Sequence, residues 1–105
     1  MLLFRYTSKY LMIMLKLSTT FSALADGNRQ KIIDLLKKGE LSVSDIASHL
    51  SITMATLSHH LDVLKRADLI SGRRDGQKII YSLNFSVIQE IEEKIVKFLK
   101  VKNKK

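Results

Sequence analysis

The segment that most constrains this chain is residues 42–66, SVSDIASHLSITMATLSHHLDVLKR, where two apolar repeats flank residues 51–53. The first repeat has the i, i+3, i+4, i+7 spacing of one helix face and consists of Val43, Ile46, Ala47 and Leu50. The second repeat consists of Leu57, Leu61 and Leu64. Because both spacings match the α-helical period, the segment predicts two short helices that are joined by a three-residue turn and share one core.

Polar residues mark where these two helices begin and end. Ser42 is followed three residues later by Asp45, which is a capping-box pattern, and Thr53 is a favourable N-cap for the second helix. Asp68 stands where the second helix should stop, and Asp enters the left-handed backbone region at modest cost. We therefore expect the second helix to end near Ala67.

The outward face of the second helix is small and polar. With its leucines turned inward at about 100° per residue, the residues that point away are Ala55, Ser58, His59 and Asp62. The side chains whose short hydrogen-bonding groups suit a DNA major groove are Thr53, Thr56, Ser58 and His59. An ordinary solvated helix face has the same composition, so this segment alone leaves DNA binding and a plain surface both open.

Length and composition bound the class of protein. The 105 residues suffice for one domain with a modest core. No Cys is present, which excludes disulfides, thiolate metal sites and cysteine nucleophiles and suits the cytoplasm, the location we expect. The formal net charge is +8, but residues 1–17 contribute three of these charges and residues 100–105 contribute four. Basic ends can attract phosphates, but they are also ordinary solubilising segments, and we favour the second interpretation.

The N-terminal segment, MLLFRYTSKYLMIMLKL, contains an uninterrupted apolar run at residues 10–15. This run is far shorter than the ~20 residues that span a bilayer, so we expect no membrane insertion. A secretory signal is disfavoured because Lys16 interrupts the apolar stretch early. Two interpretations stay open: an extra helix that packs on the domain or a partner, or an extension read from a start codon upstream of Met12 or Met14.

Two further helices are predicted before the central pair. Residues 19–25 form a short helical candidate, and residues 28–38 carry apolar side chains at helical spacing. Asp26 is suited to cap the second of these helices. Gly39 follows the last periodic residue, a position where Gly favours helix termination.

From residue 69 to residue 83 the apolar period changes to two, which predicts a β-hairpin. The dipeptide Asp75-Gly76 is a strong signal for the two-residue loop. This loop places Arg73 opposite Lys78, an unfavourable pair of like charges for which a phosphate beside the hairpin is a natural counter-charge. A solvated hairpin tip is the alternative. The residues expected on the core-facing side are Ile70, Ile79, Tyr81 and Leu83.

Residues 85–99, FSVIQEIEEKIVKFL, return to helical periodicity. Their apolar stripe consists of Ile88, Ile91, Ile95 and Phe98 or Leu99. Glu90 with Lys94 and Glu93 with Lys97 form favourable i,i+4 pairs on the opposite side. A terminal helix this apolar should either complete the core of the monomer or pack against a second copy of the chain.

The order of these elements over about residues 18–99 resembles the ArsR family of winged helix-turn-helix transcriptional repressors. FSALADGNRQKIIDLL is similar to the opening of that family, ATLSHHLDVLKRADLI to its recognition helix, and RRDGQKIIYSL to its wing. The resemblance implies a mainly α fold with a small β-hairpin, about five helices plus a two-stranded wing. It divides the chain into an N-terminal extension at 1–17, a DNA-binding domain at 18–99 and a basic tail at 100–105.

The resemblance also implies which residues act. The DNA contacts would fall on Thr53, Met54, Ala55, Thr56, Ser58 and His59 of the recognition helix and on Arg73, Arg74 and Lys78 of the wing. The family forms homodimers, and the interface would include Phe21, Leu24, Ala25, Ile88, Ile91, Ile95, Phe98 and Leu99. His60 of this motif would be a packed residue with satisfied hydrogen bonds. Such a dimer would face a pseudo-palindromic operator and repress by excluding polymerase.

The departures from the family pattern bear on metal sensing. Metal-sensing members carry Cys in an E-L-C-V-x-D-L segment, whereas this chain reads ELSVSD with Ser42 in that position. The terminal helix contains Glu but no His, and carboxylates alone are poor ligands for zinc-like metals. We therefore expect no metal site and no cofactor. The pattern most resembles the ligand-poor, SdpR-like branch, which implies that repression is relieved by a protein partner or by a change in the level of the protein itself.

An enzyme and a protein-binding module are the rival classes. Ser58 precedes His59 directly, but side chains at i and i+1 of a helix do not face each other, and the sequence has no Gly-rich phosphate loop. We therefore expect neither enzyme activity nor a small-molecule substrate. The remaining alternative is a winged helix that binds protein through its apolar N-terminal segment and no longer binds DNA.

Overall fold

A computed structural model describes the backbone of residues 2–100 and the side chains of residues 11–100. In chain order its elements are α1 (Leu2–Leu24), α2 (Gly27–Leu36), β1 (Leu41–Ser42), α3 (Val43–Ser48), α4 (Met54–Arg66), β2 (Ile70–Asp75), β3 (Lys78–Leu83) and α5 (Phe85–Leu99). The mainly helical winged helix-turn-helix prediction is confirmed. Of the basic tail predicted at 100–105, residues 101–105 lie outside the described residues.

The first helix is longer than the sequence pattern indicates. α1 runs through both the N-terminal segment and the candidate helix at 19–25 as one element of 23 residues. Thr20, which is buried, donates its hydroxyl to the carbonyl of Lys16 at 3.1 Å, so this polar position is satisfied within the helix. The domain boundary proposed after residue 17 lies inside α1 and stays a prediction.

The predicted helix caps are confirmed. Asp26 caps α2 by accepting hydrogen bonds from the backbone N–H groups of Asn28 at 2.8 Å and Arg29 at 3.1 Å. Ser42 caps α3 through a 3.1 Å bond from the N–H of Asp45. Thr53 likewise caps α4, whose C-cap is Ala67. Asp68 then has φ of 61°, the left-handed conformation expected at this stop.

The apolar faces of α2, α3 and α4 meet in one core. Its most completely buried side chains are Ile32, Leu36, Ile46, Leu57 and Leu64. α3 ends at Ser48, so the connection to α4 is residues 49–53 and not the three-residue turn that was predicted. The N–H of Leu50 bonds to the carbonyl of Ala47 in a turn, which brings Leu50 against the core although the helix has ended.

The predicted hairpin forms, but its loop and register were wrong. Asp75 pairs with Lys78, so the loop residues are Gly76 and Gln77. Gly76 has φ of +66° at the first loop position, where a type II′ turn requires Gly. Arg73 therefore lies opposite Ile80, and the pair of like charges that was expected between Arg73 and Lys78 does not form.

Packing explains this register. Tyr81 pairs with Gly72, and a Cβ added at Gly72 would lie only 2.9 Å from Cε1 of Tyr81. The aromatic ring thus needs the one residue of β2 that has no side chain. Tyr81 and Leu83 are buried as predicted, whereas Ile79 is 37% exposed because it lies near the tip of the hairpin.

The sheet has one strand more than the predicted hairpin. β1 pairs antiparallel with β3, giving the strand order β1-β3-β2. The base of the wing is closed by Asn84, which donates from its side chain to the carbonyl of Asp68 at 2.8 Å and accepts from the hydroxyl of Ser71. The backbone N–H of Asn84 also bonds to the carbonyl of Leu69 at 3.0 Å.

α5 begins and ends as predicted, and the predicted ion pair between Glu90 and Lys94 is present at 3.3 Å. Ile91 is buried, and Ile88 and Ile95 pack partly against the core. α5 also contacts α1. Within residues 2–100, no helix combines the length and apolarity needed to cross a membrane.

Candidate nucleic-acid interface

The first two turns of α4 present the predicted DNA-contacting residues to solvent. Thr53, Met54, Ala55, Thr56, Ser58 and His59 are all exposed. Leu57, which lies among them in sequence, is only 1% exposed, because the helical period turns it toward the core with Leu61 and Leu64. The buried leucines thus fix which side of the helix faces outward.

The polar side chains at the start of α4 differ in whether they already have a hydrogen-bond partner. Thr53 Oγ1 accepts from the N–H of Thr56 at 3.1 Å and donates to Thr56 Oγ1 at 2.9 Å, so the cap uses this hydroxyl. Ser58 Oγ and the His59 ring have no hydrogen-bond partner among the side chains and backbone that the structure describes. These two side chains are therefore the best placed to read a base edge.

The three cations of the wing are not equivalent. Arg73 Nη2 lies 2.8 Å from Oε1 of Glu40, and this hydrogen bond raises the pKa of the Arg73 guanidinium above its ordinary value. For Arg74 and Lys78 the described residues provide no carboxylate within 4.0 Å. Because residues alternate between the faces of a strand, Arg73 and Arg74 project from opposite faces of the hairpin.

Sequence reasoning missed Glu40, whose carboxylate changes the charge that the wing presents. It lies 33 positions before Arg73, and only the pairing of β1 with β3 brings it to the face of the sheet on which Arg73 lies. Its carboxylate offsets part of the wing's positive charge. Among the described residues, a carboxylate therefore engages Arg73, whereas none lies within 4.0 Å of Arg74 or Lys78.

An apolar groove of about 630 Å³ runs between α1 and α5. It is lined by Met14, Leu17, Ser18, Phe21, Ser22, Ala25, Ile95, Phe98 and Leu99. Phe21 is 52% exposed, Phe98 42% and Leu99 67%. Five of the predicted interface residues thus line one surface.

The other predicted interface residues contribute less surface. Leu24 and Ile88 are half-buried, and Ile91 is buried in the core of its own protomer. Additional exposed apolar residues on α1, Leu11, Met14 and Leu15, were not assigned to the interface from the sequence. All three lie in the uninterrupted apolar run at residues 10–15, for which packing on the domain or on a partner was one of the two interpretations left open.

His60 is a packed residue, as predicted. It is 6% exposed, and its Nδ1 lies 3.0 Å from Nη1 of Arg29. Its Nε2 lies 3.8 Å from Oδ1 of Asp26. The pKa of the Asp26 carboxyl is lowered, chiefly by the hydrogen bond from the N–H of Arg29.

Ser42, which occupies the position of a metal-binding Cys in the resembling segment, has a structural role here. Its hydroxyl accepts the N–H of Asp45 and shares a 3.1 Å hydrogen bond with the hydroxyl of Ser44. Across the described residues, no three His, Asp or Glu side chains come close enough together to hold a metal ion.

Comparison with known proteins identifies a family. The model of the bacterial regulatory protein, arsR family, matches residues 26–71. The transcriptional repressor SdpR of Bacillus subtilis (strain 168) is 47% identical over 74 residues, which are 70% of this chain and 82% of that protein. The arsenical resistance operon repressor of Staphylococcus aureus is 40% identical over 76 residues, which are 72% of this chain and 73% of that protein.

Solved structures agree with this result. An ArsR-like transcriptional regulator from Rhodococcus sp. RHA1 superposes with a TM-score of 0.74 at 23% identity, covering 80% of this chain and 79% of that one. A homodimeric winged helix-turn-helix DNA-binding domain from Mycobacterium bovis superposes with a TM-score of 0.68 at 25% identity, covering 90% of this chain and 94% of that one. At 23% identity, the likeness to the regulator from Rhodococcus concerns the fold alone.

Proposed function

This chain belongs to the ArsR family of bacterial regulatory proteins, and we propose that it is a transcriptional repressor that binds a pseudo-palindromic operator as a homodimer. The winged helix-turn-helix fold supports the DNA-binding part of this proposal. The two bacterial relatives are both repressors by name, which supports the regulatory part. The homodimeric state of the similar domain from Mycobacterium bovis supports the assembly.

The observation that carries the proposal is the exposed polar face at the start of α4. A major groove admits a helix whose first turns carry short hydrogen-bonding groups. Ser58 and His59 donate to or accept from base edges, because both are exposed and free of other described partners. Met54 and Ala55 offer apolar contact to thymine methyl groups.

The wing contributes affinity without sequence preference. Arg74 and Lys78 bind backbone phosphates beside the groove that α4 enters, since neither is paired with a carboxylate of the described chain. Such contacts set the position of the protein on the duplex, and the base contacts of α4 select the sequence.

The groove between α1 and α5 supports a dimer through these two helices. Phe21, Phe98 and Leu99 expose apolar surface to water, and a second copy would cover it. A two-fold dimer presents two copies of α4 to successive major-groove segments about 34–36 Å apart. Where the operator overlaps a promoter, the bound dimer excludes polymerase.

The test is selection of bound fragments from the source genome with the purified full chain, followed by titration of the selected site. We expect affinity to fall steeply as salt increases, because phosphate contacts release counterions. Arg74→Ala and Lys78→Ala should each reduce the slope of log affinity against log salt by about 0.9. Lys97→Ala, which removes a cation from α5 and none from α4 or the wing, is the matched control and should leave the slope unchanged.

His59→Ala tests base contact separately. We expect it to change the preferred base at a position of the selected site, where a mismatched pair costs roughly 1–3 kcal/mol. Equal weakening on every sequence would argue against base contact by His59. A chain that selects no fragments, and binds duplex DNA no better than Arg74→Ala does, would instead support the protein-binding alternative.

A further inference from the structure

The guanidinium of Arg29 joins the end of α1 to the middle of α4. Its Nε donates to the carbonyl of Ala23 at 2.6 Å, and its Nη2 donates to the carbonyl of Ser22 at 3.4 Å. Its Nη1 lies 3.0 Å from Nδ1 of His60. Arg29 is thus bound at once to the last turn of one helix and to a buried side chain of another.

The chemistry of these groups makes the link specific. Arg only donates hydrogen bonds, so Nδ1 of His60 must be the acceptor and the proton of the neutral ring lies on Nε2, on the side of Asp26. Asp26 also accepts the backbone N–H of Arg29 at 3.1 Å, which holds the start of the Arg29 side chain in place. The planar, rigid guanidinium reaches three acceptors at once, which are the carbonyls of Ser22 and Ala23 and Nδ1 of His60. A Lys ammonium is a compact charge and does not span them.

The link lies between the two surfaces that the proposed function requires. Ser22 lines the apolar groove between α1 and α5, where a second copy would pack. His60 directly follows the exposed His59 on α4, and the two imidazole rings lie 5.8 Å apart. We propose that Arg29 is a positioning residue that fixes the orientation of α4 relative to α1, and thereby the spacing of half-sites that the homodimer accepts.

This inference rests on the proposed function and on the two-fold symmetry of a homodimer. If α1 is held at the interface, a change in the angle between α1 and α4 occurs in both protomers. The displacement of one α4 relative to the other is then twice the displacement within a single protomer. Neighbouring base pairs are separated by only about 3.4 Å along the duplex. A dimer whose α4 helices are loosely oriented therefore tolerates half-sites that lie one base pair too close or too far apart.

The experiment compares operators that differ only in spacing. The selected site, and versions with one base pair inserted or removed between half-sites, are titrated with the full-length chain by fluorescence anisotropy at one salt concentration. The wild type should prefer one spacing. We call the affinity for the best spacing divided by the affinity for an altered spacing the spacing ratio. Arg29→Gln should reduce the spacing ratio by about fivefold or more, the size of a typical coupling between contacting residues.

Gln30→Ala is the matched control. Gln30 Nε2 donates to the carbonyl of Leu24 at 2.8 Å, so this variant also removes a side-chain bond to the end of α1 but leaves the contact with α4 intact. It should keep the spacing ratio of the wild type. A Gln30→Ala variant that loses the ratio as strongly as Arg29→Gln would show that any damage to this helix end has the same effect, and would overturn the inference.

Three further variants separate positioning from charge and from folding. Arg29→Lys keeps the charge but not the planar fork, and it should lose the spacing ratio as Arg29→Gln does; full rescue by Lys would overturn the inference. His60→Ala removes the same contact from the α4 side, so it gives the answer even if Arg29→Gln does not fold. The double variant Arg29→Gln, His60→Ala should lose no more of the ratio than either single variant does.

Failure of this inference and failure of the proposed function give different results. A wild-type chain that shows no preference among spacings or sequences would overturn both. In a second case the wild type binds one operator specifically, and both Arg29→Gln and His60→Ala preserve its spacing ratio while lowering affinity equally for all spacings. This result would leave the proposed function standing and would show that Arg29 is a purely structural residue.

Discussion

Replacing Glu40 by Gln should strengthen operator binding, because it frees a cation of the wing. The carboxylate of Glu40 lies 2.8 Å from the Arg73 guanidinium, and the two side chains are 51% and 58% exposed. An exposed pair of this kind contributes little to folding stability, so the variant should unfold at nearly the temperature of the wild type. The effect should appear in DNA binding instead.

The magnitude follows from counterion release. If Arg73 stays on Glu40 in the wild-type complex, Glu40→Gln adds one phosphate contact and steepens the slope of log affinity against log salt by about 0.9. One such contact multiplies the affinity by about eightfold at 0.1 M salt and only about twofold at 0.5 M salt. The gain should therefore shrink as salt is raised.

Salt-dependent titrations of the selected operator measure this effect. Glu93→Gln on α5 is the control for the loss of a negative charge far from the wing. Arg73→Ala should change the slope little in the wild-type background but should cancel the gain in the Glu40→Gln background. An unchanged slope in Glu40→Gln, or an equal gain in Glu93→Gln, would refute the reasoning.

Three other outcomes are expected. The lowered pKa of Asp26 contributes folding stability that is present above the ordinary pKa of 3.8 and is lost as pH falls through the lower folded-state value. Asp26→Asn should therefore lower the melting temperature at pH 7. The difference from the wild type should vanish in strong acid. Gly72→Ala should destabilise the fold by about 1–3 kcal/mol in urea unfolding, because its methyl group would meet the Tyr81 ring. Phe21→Glu should shift the chain toward monomer in light scattering and leave the monomer's fold, measured by circular dichroism, unchanged; a persistent dimer would contradict the proposed interface.

Features that depend on a few neighbouring residues could be predicted from the sequence. The caps at Asp26, Ser42 and Thr53 and both ends of α5 are local, and they were found. The exposure of Ser58 and His59 also followed from the helical period alone. These are the features that carry the proposed function.

Features decided by distant contacts were missed. Gly76 is compatible with either of two adjacent two-residue loops, and the packing of Tyr81 against Gly72 selects between them. β1 consists of two residues, too short to show a strand period, and it exists because β3 pairs with it. The ion pair of Arg73 with Glu40 depends on that pairing, so no local pattern could reveal it.

The hydrogen bonds of Asn84 should make the base of the wing stiffer than its tip. They link the first residues of β2 and the end of β3 to the turn that follows α4, so we expect this end of the hairpin and α4 to move together. The residue pairs nearest the tip, between Arg74 and Ile79, lack these bonds and should bend more easily. We expect the tip of the hairpin to adapt to local groove width in the proposed complex, while α4 keeps its position in the major groove.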